Sequence, residues 1–513
     1  MNRSVKNICW LFILIYPLCN FADAQKAKST WVYLNQFGKL AYKTLPTGDH
    51  IIDFSYAGYK GGGVRLPSVP VKITLSPLPG DNSEAIQNAI NTVSGMPLIN
   101  SFRGAILLSS GIYNCDRNLV IQASGVVLRG SGSSKEGTII KMTGKPHPCV
   151  TVKGSNNFVP RGKEVRFLEP YVPSGTSSFL VSDASAFTGG DTIRISKPVT
   201  ADWVSFMGMD RLTRDGKKQT WITGDITVDR IITRIEKNRI WVDLPLTDSY
   251  DLRYLDPPGV KVQKIESSGI ITEVGLEDFQ IISPEQNVTI NEGHNRAVTM
   301  SGVTDAWVRN IDVFNTVNSM GFEGKRITVD HVSILHSVPT IGAAKPADLN
   351  ASGAQILFNR CSITGDNVFF LATGAKVSGP VVLLNCVFNG NGWIQPHQRW
   401  ATGLLVDNCQ VPAGGIDFMN RGAMGSGHGW AIGWAVAWNS IAKSYINQMP
   451  PGAANWVIGS SGDLESKPMP FEKEPLLPQG IYDSHGKPVE PYSLYLAQLA
   501  ERLGKQAVKN IGY

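Results

Sequence analysis

The chain lacks the features that mark several common classes of protein. No dense stripe of lysine and arginine interleaved with aromatic residues occurs, which argues against a nucleic-acid partner. No Cys-x-x-Cys pair accompanies a histidine, as a zinc site would need, and no tight run of aspartates predicts a calcium site. Low-complexity segments are absent and helical patterns are few. What remains is a chain rich in short apolar runs and turns.

The composition is that of a folded protein with many turns. Of 513 residues, 42% are hydrophobic and 18% are charged, which is enough to fill a core and excludes intrinsic disorder. Glycine occurs 52 times, and the formal net charge is +6. A mildly basic protein is compatible with an anionic substrate but does not demand one.

Residues 1–24 have the pattern of a signal peptide. Basic Arg3 and Lys6 precede an apolar stretch from Ile8 to Leu18, and a small-x-small site ends at Ala24. The stretch is shorter than the ~20 residues needed to cross a bilayer, so no stable membrane span is expected. Lipidation at Cys19 is disfavoured because the residues before it are not small. We expect export to the periplasm, the cell surface or the medium.

Seven short segments in the second half of the chain share one pattern, an apolar run followed by a polar residue and then a small or apolar one. Their polar members recur every 21 to 32 residues, which is the period of a coil in a β-solenoid. One coil cannot bury its inner face alone, so coils must stack, and stacked coils form a long groove suited to an extended polymer. The seven polar residues are Asp278, Asn310, His331, Arg360, Asn385, Asn408 and Asn439.

Five cysteines remain after removal of residues 1–24, and an odd number argues against a complete disulfide framework. Cys361, Cys386 and Cys409 occupy equivalent places in the repeat. We interpret them as a stack of buried thiols rather than as metal ligands.

Four motifs identify a resemblance. They are DFSYAGY (53–59), GDNSEAIQNAI (80–90), GAILLSSGIY (104–113) and GVVLRGSG (125–132). In this order they resemble the pectate-lyase-like superfamily (pectin lyase fold), and the resemblance covers about residues 50–150 and 265–460. It implies an all-β, right-handed parallel β-helix acting on polysaccharides. It does not fix the reaction, because lyases, hydrolases, epimerases and phage tailspikes share these features.

The expected organisation has five parts. After the signal peptide, residues 25–154 hold a lead-in, a capping helix that starts near Asp81, and the first coils. Residues 155–260 alternate like antiparallel strands and predict a β-rich insertion, one wall of a cleft. Residues 261–465 form the main β-helix. Residues 466–513 form an extension whose helix presents Leu496, Leu499, Leu503 and Ala507 on one face.

Three polar clusters stand out as candidate chemistry, and each holds a histidine and an arginine. We predict catalytic roles for His294, Arg296, His397, Arg399, Arg421 and His428, and substrate contacts for Asn295, Asn420, Trp400, Trp430 and Trp434. Since equivalent positions on successive coils lie about 4.8 Å apart, distant clusters can share one groove. The competing interpretations are turn histidines, surface salt bridges and tryptophans that only fill the core.

These residue types suit β-elimination on a uronic-acid glycan. That reaction needs neutralisation of the carboxylate, removal of the C5 proton and protonation of the leaving oxygen. Hydrolysis would need two carboxylates, and the three clusters contain none. The sequence therefore predicts an exported polysaccharide lyase, active as a monomer on an acidic polysaccharide. No cofactor is certain, and calcium stays open.

Two alternatives remain. Polygalacturonase-like hydrolases carry acidic motifs that this chain matches only in part, at Asn315-Thr316-Val317, Gly365-Asp366-Asn367 and Gly427-His428-Gly429. Val317 and Asn367 stand where that family has acids. A glycan-binding protein without catalysis is the other alternative.

Overall fold

The computed structural model describes residues 27–513, so the expected signal peptide lies outside the described residues. Within them the chain is mostly β with few helices. No helix in the described part is long and apolar enough to cross a membrane.

Most strands pair in parallel with the equivalent strand of the next coil. In the C-terminal half the coils form three columns, in register from coil to coil. The first column holds Ala354–Asn359, Ser378–Leu384, Ala401–Asp407, Val436–Trp438, Trp456–Ile458 and Ile481–Asp483. The second holds Ser362–Thr364, Val387–Asn389, Gln410–Phe418, Ile441–Asn447 and Ser461–Glu465. The third holds Ala347–Ala351, Phe369–Thr373 and Trp393–Ile394 and continues into the end of Gln410–Phe418.

Longer strands that bend between columns form the preceding coils. They are Ile271–Ile282, Arg296–Phe314 and Met320–Leu335. The first coils consist of Val71–Leu75, Gly104–Leu108, Gly111–Cys115, Leu119–Ile121, Val126–Arg129, Thr138–Met142 and Pro148–Lys153. This pairing is that of stacked coils; the right-handed sense of winding stays a prediction.

The seven polar residues of the sequence repeat all lie at left-handed turns. Their φ angles run from 47° to 64°. Asn and Asp tolerate this region better than most residues, and a β-branched residue would be strained there. Neighbouring members also bond, since Asn310 Nδ2 donates to Asp278 Oδ1 at 2.8 Å. The repeat therefore marks the corner at which each coil leaves one sheet.

Cys361, Cys386 and Cys409 lie directly after three of these turns, buried and unpaired in the core. Each thiol donates to a backbone carbonyl of the preceding coil, at 3.4 to 3.6 Å. Burial raises the pKa of Cys361 and Cys386 well above the ordinary value. The expected stack of core thiols is present, and Ser440 continues it by accepting from the backbone N–H of Cys409.

A helix over Ser83–Ser94 covers the first coils. Its buried face carries Ile86, Ala89, Ile90 and Val93, as the periodicity predicts, and joins the same core as the coils. The expected cap at Asp81 is displaced by one residue, because Asn82 holds the N-cap position. Asp81 instead accepts from the backbone N–H of Ser83 through Oδ1 at 3.2 Å.

The sequence between the first coils and the main stack forms a six-stranded antiparallel sheet, while the coils on either side of it pair directly. Its strands, in spatial order, are Asn157–Arg166, Lys261–Ser268, Thr192–Lys197, Ile226–Glu236, Arg239–Val242 and Ser178–Leu180. Two short helices, Ala201–Phe206 and Leu252–Leu255, lie in the same segment. Because the strand Lys261–Ser268 belongs to this sheet, the insertion ends near residue 268 and not at 260.

The insertion packs on the solenoid around one buried ion pair. Lys197 Nζ lies 2.7 Å from Asp248 Oδ2. Trp400 and Trp434 of the solenoid donate their indole N–H groups to the same carboxylate, at 2.9 and 3.3 Å. A buried carboxylate needs several donors to offset its lost hydration, and both layers supply them here.

The C-terminal extension ends in two helices rather than one. Leu494–Leu503 and Lys505–Asn510 are separated by Gly504, whose φ of 82° breaks the helix. Leu499 and Ala507 are buried as expected, whereas Leu503 is exposed. Short pairs of strands complete the chain: Ala27–Lys28 with Val489–Glu490, Val32–Leu34 with Leu40–Tyr42, Tyr171–Val172 with Tyr250–Asp251, and Thr213–Arg214 with Lys217–Lys218.

Candidate active site

Four of the six residues expected to be catalytic lie together beside the third column. The rings of His397 and His428 meet edge to face, with centroids 4.7 Å apart. Arg421 donates from Nη1 to the carbonyl of His397 at 2.8 Å, and Arg399 donates its backbone N–H to the carbonyl of His428 at 3.0 Å. We call His397, Arg399, Arg421 and His428 the His–Arg site.

Local backbone geometry brings this site together. The glycine-rich loop 422–429 folds back, so that the backbone N–H of Arg421 donates to the carbonyl of Gly429 at 2.8 Å. Gly425 has a φ of 56°, and a Cβ there would lie 2.2 Å from Nε2 of His428. Glycine at this position therefore serves both the turn and the close approach of the imidazole.

Arg421 is a buried cation without a close counter-ion. It is 7% exposed, and its guanidinium lies over the ring of Phe369, 5.3 Å from the centroid. Its Nε has no hydrogen-bond partner. Among residues 27–513, no carboxylate lies within 4.0 Å of the guanidinium of Arg421 or Arg399. Burial lowers the pKa of Arg421 to about 10. An unpaired buried cation favours an anionic ligand.

Both histidines of the site are held neutral. Burial, together with the positive charges of Arg421 and Arg399, lowers the pKa of His397 to about 4. The same causes, with His397 as a further neighbour, lower the pKa of His428 to about 3. Nδ1 of His428 is buried without a partner. The site therefore presents two neutral imidazoles beside two guanidinium groups.

The insertion forms one side of this region. Arg399 donates from Nε to the carbonyl of Trp221 at 2.7 Å and from Nη2 to Oγ of Ser426 at 2.6 Å. A pocket of about 510 Å³ lies between residues 218–223 of the insertion and the pair Arg399 and Ser426. The segment 218–223 of the insertion lines this pocket, and a role as the wall of a substrate cleft stays a prediction.

A carboxylate that the sequence interpretation overlooked lies next to the site. Asp417 accepts from Nε2 of Gln395 through Oδ2 at 2.6 Å, and burial raises its pKa to about 6. The charge of Arg421 acts in the opposite direction on that pKa. The sequence does contain a signal for this carboxylate. Asp417 is the single polar residue in the apolar run Gly414 to Phe418, and the alternation of side chains along a strand places it on the outer face.

The three tryptophans expected to stack on sugars are not available as platforms. Trp400, Trp430 and Trp434 are each 2% exposed, because the insertion covers them. Trp430 donates its indole N–H to the carbonyl of Met207 in the insertion at 3.0 Å. They hold the two layers together, which corrects the expectation of a sugar platform.

Asn420 and Asn295 are also committed to the backbone around them. Asn420 is fully buried and accepts from the N–H of Gly422 at 2.8 Å. Asn295 accepts from the N–H of His147 at 2.9 Å and donates to Ser283. Their expected contact with substrate is replaced by a structural role.

His294 and Arg296 lie apart from the other four. Arg296 Nε donates to His294 Nε2 at 3.2 Å, and burial lowers the pKa of this imidazole. Strand register places four strand spacings, roughly 19 Å, between this coil and that of Ile394. The sequence predicted one groove lined by six catalytic residues, and the structure brings together only the four of the His–Arg site.

Residues of the first two hydrolase-like motifs have structural roles. Asp366 is exposed, and its Oδ1 accepts from the backbone N–H of Asn391 at 2.8 Å. Val317 is buried in the position where an acid would be needed. No group of three or more His, Cys, Asp or Glu side chains placed to hold a metal ion occurs within residues 27–513.

Comparison with known proteins gives structural similarities only. No family model and no curated protein matches the chain. PfbA, a surface adhesin of Streptococcus pneumoniae, is 10% identical with a TM-score of 0.35, over 81% of this chain and 79% of that one. The tailspike gp61 of Pseudomonas phage phi297 is 10% identical with a TM-score of 0.32, over 79% and 73%. The GH87 α-1,3-glucanase of Streptomyces thermodiastaticus is 9% identical with a TM-score of 0.26, over 82% and 70%. At these scores the similarities assign neither residues nor an activity to this chain.

Proposed function

We propose that the protein is an exported, right-handed parallel β-helix polysaccharide lyase that cleaves an acidic, uronic-acid-containing glycan by β-elimination at the His–Arg site. The observation that carries the proposal is the unpaired guanidinium of Arg421 beside two neutral imidazoles. A uronate carboxylate supplies the missing anion, and the imidazoles supply groups that can accept and return protons.

Each step has a candidate residue. Arg421 and Arg399 bind the C6 carboxylate, which makes the C5 proton more acidic. One imidazole takes the C5 proton, the electron pair forms the C4–C5 double bond, and the C4–O bond breaks. The leaving oxygen then receives a proton.

A bound carboxylate also makes the two histidines stronger bases. Their low pKa values come partly from the arginine charges, so an anion between the arginines raises both values toward neutrality. The base becomes effective when substrate is present.

The test is turnover of a panel of anionic polysaccharides, followed by ultraviolet absorbance of the unsaturated product. His397→Ala and His428→Ala should each lower kcat by about 10²–10⁴. Asp366→Asn is the matched control, because that carboxylate holds a turn outside the site and should leave activity unchanged. Products without an unsaturated end would refute the lyase. Binding without any turnover would favour a glycan-binding protein.

Hydrolysis is the second candidate, and one specific observation favours it. The backbone positions of Asp417 and Glu465 lie on the same sheet face, two strand spacings or about 9.6 Å apart by register. An inverting glycosidase needs carboxyl groups about 6.5–9.5 Å apart, one an acid and one a base.

The pKa values of the two carboxyl groups are shifted in opposite directions. Burial raises the pKa of Asp417 to about 6, while the hydrogen bond from Lys467 lowers that of Glu465. Hydrolysis predicts that Asp417→Asn and Glu465→Gln each abolish cleavage, and that products carry an ordinary reducing end with no double bond.

A further inference from the structure

A second cation lies one step along the same face from the His–Arg site. The ammonium of Lys345 is 4.7 Å from the ring centroid of Trp393 and donates to Oδ1 of Asn367. Lys345 is half-buried, and this burial lowers its pKa. Within residues 27–513, no carboxylate lies within 4.0 Å of its ammonium.

An aromatic pair joins the two cations. The ring centroids of Phe369 and Trp393 are 6.5 Å apart, on neighbouring strands of the third column. Arg421 lies over Phe369 and Lys345 over Trp393. The order along this strip is therefore Lys345, Trp393, Phe369 and Arg421, with each separation under 7 Å.

The local chain holds Lys345 in this place. Asn367 has a left-handed φ of 60° and donates from Nδ2 to the carbonyl of Thr340 at 3.0 Å. Its backbone N–H in turn donates to Oδ1 of Asn391 at 2.7 Å. Trp393 stays partly exposed, unlike the three tryptophans beneath the insertion. The position thus combines a held cation with an accessible ring.

We propose that Lys345 and Trp393 form a second subsite, next to the His–Arg site, that binds the acidic group and ring of a neighbouring sugar unit. The proposal rests on the proposed function and deepens it. The substrate class it names is a glycan with acidic groups on neighbouring units, rather than one whose acidic units are isolated by neutral sugars. A half-buried cation gains more from an anion than a fully exposed one, because solvent screens it less.

The experiment compares two oligosaccharides of equal length, one of consecutive uronates and one in which uronates alternate with neutral sugars. Affinity is measured by calorimetry in the His428→Ala background, which slows turnover by about 10²–10⁴, and kcat/KM is measured without that change. The variants are Lys345→Met and Lys345→Arg. Lys141→Met, an exposed lysine on the strand Thr138–Met142 of the first coils, is the matched control.

We expect the consecutive oligomer to be preferred about tenfold, as one charge-assisted bond implies. Lys345→Met should remove that preference and reduce the salt dependence of binding, while Lys345→Arg and Lys141→Met keep both. Cleavage with no such preference, or with a preference that survives in Lys345→Met, overturns the subsite and leaves the lyase intact. A preference lost in Lys345→Met without unsaturated product supports the subsite and overturns the lyase. Absence of both binding and cleavage overturns both.

Discussion

Replacement of Arg421 by methionine should stabilise the protein while abolishing its activity. Burial lowers the pKa of this guanidinium from 12.5 to about 10, and the charge of Asp417 offsets this only in part, so the lost hydration costs about 3 kcal/mol. The variant loses the hydrogen bond to the carbonyl of His397, worth about 1.5–3 kcal/mol. A methionine of similar length keeps the packing on Phe369. The net expectation is a gain of about 1 kcal/mol in the free energy of unfolding.

Urea unfolding at pH 7 measures this gain, with turnover recorded on the same sample. Arg399→Met is the matched control. Arg399 is half-buried and makes bonds to Trp221 and Ser426, so its loss should reduce stability by about 1–3 kcal/mol. A destabilised Arg421→Met would refute the conclusion that the lost hydration of this cation is only partly compensated. Retained turnover in Arg421→Met would refute its role with the carboxylate.

Three further predictions follow from the geometry. The pKa of His428 is about 3 in the folded chain against 6.5 unfolded, so the unfolded state takes up the proton first as pH falls. The free energy of unfolding should therefore fall between pH 6.5 and pH 3. Urea titration at pH 7 and pH 4.5 should show a fall that is about 2 kcal/mol smaller in His428→Gln than in the unchanged protein. An equal fall in both proteins would contradict the prediction. All five cysteines in the described chain are buried and unpaired, so a thiol reagent should label none of them before unfolding and all five afterwards. Gly425→Ala should displace His428 and lower turnover by about 10². Gly208 has a similar φ of 68° but open space around it, so Gly208→Ala should leave turnover unchanged. Equal activities of the two variants would contradict the contact between residue 425 and His428.

The corners of the coils could be predicted because their cause is local. A left-handed turn after an apolar run selects Asn and similar residues, and the stacked cysteines follow from the same spacing. The contact between His397 and His428 could be predicted for a similar reason, because the two residues lie on adjacent coils. These features need only the repeat period and the strand spacing.

The roles of the tryptophans could not be predicted, because their exposure depends on a separate layer. Trp400 and Trp434 bond to Asp248, more than 150 residues earlier in the sequence. Asp417 was overlooked for a similar reason. Its partner Gln395 lies on the preceding coil, and only the strand register shows that they meet. Periodicity identifies which residues face outward, but not what covers them.

The bond between Arg399 and Trp221 has a consequence for biosynthesis. Trp221 is synthesised 178 residues before its partner, and its indole bonds to Trp430 across 209 residues. Contacts of such long sequence separation form late in folding, because the intervening chain must first lose the entropy of loop closure. The surface around Trp221 therefore stays uncovered until the coils that carry Arg399 and Trp430 have formed. A chain that ends before residue 399 would expose the apolar surface around Trp221, and exposed apolar surface of this kind promotes aggregation.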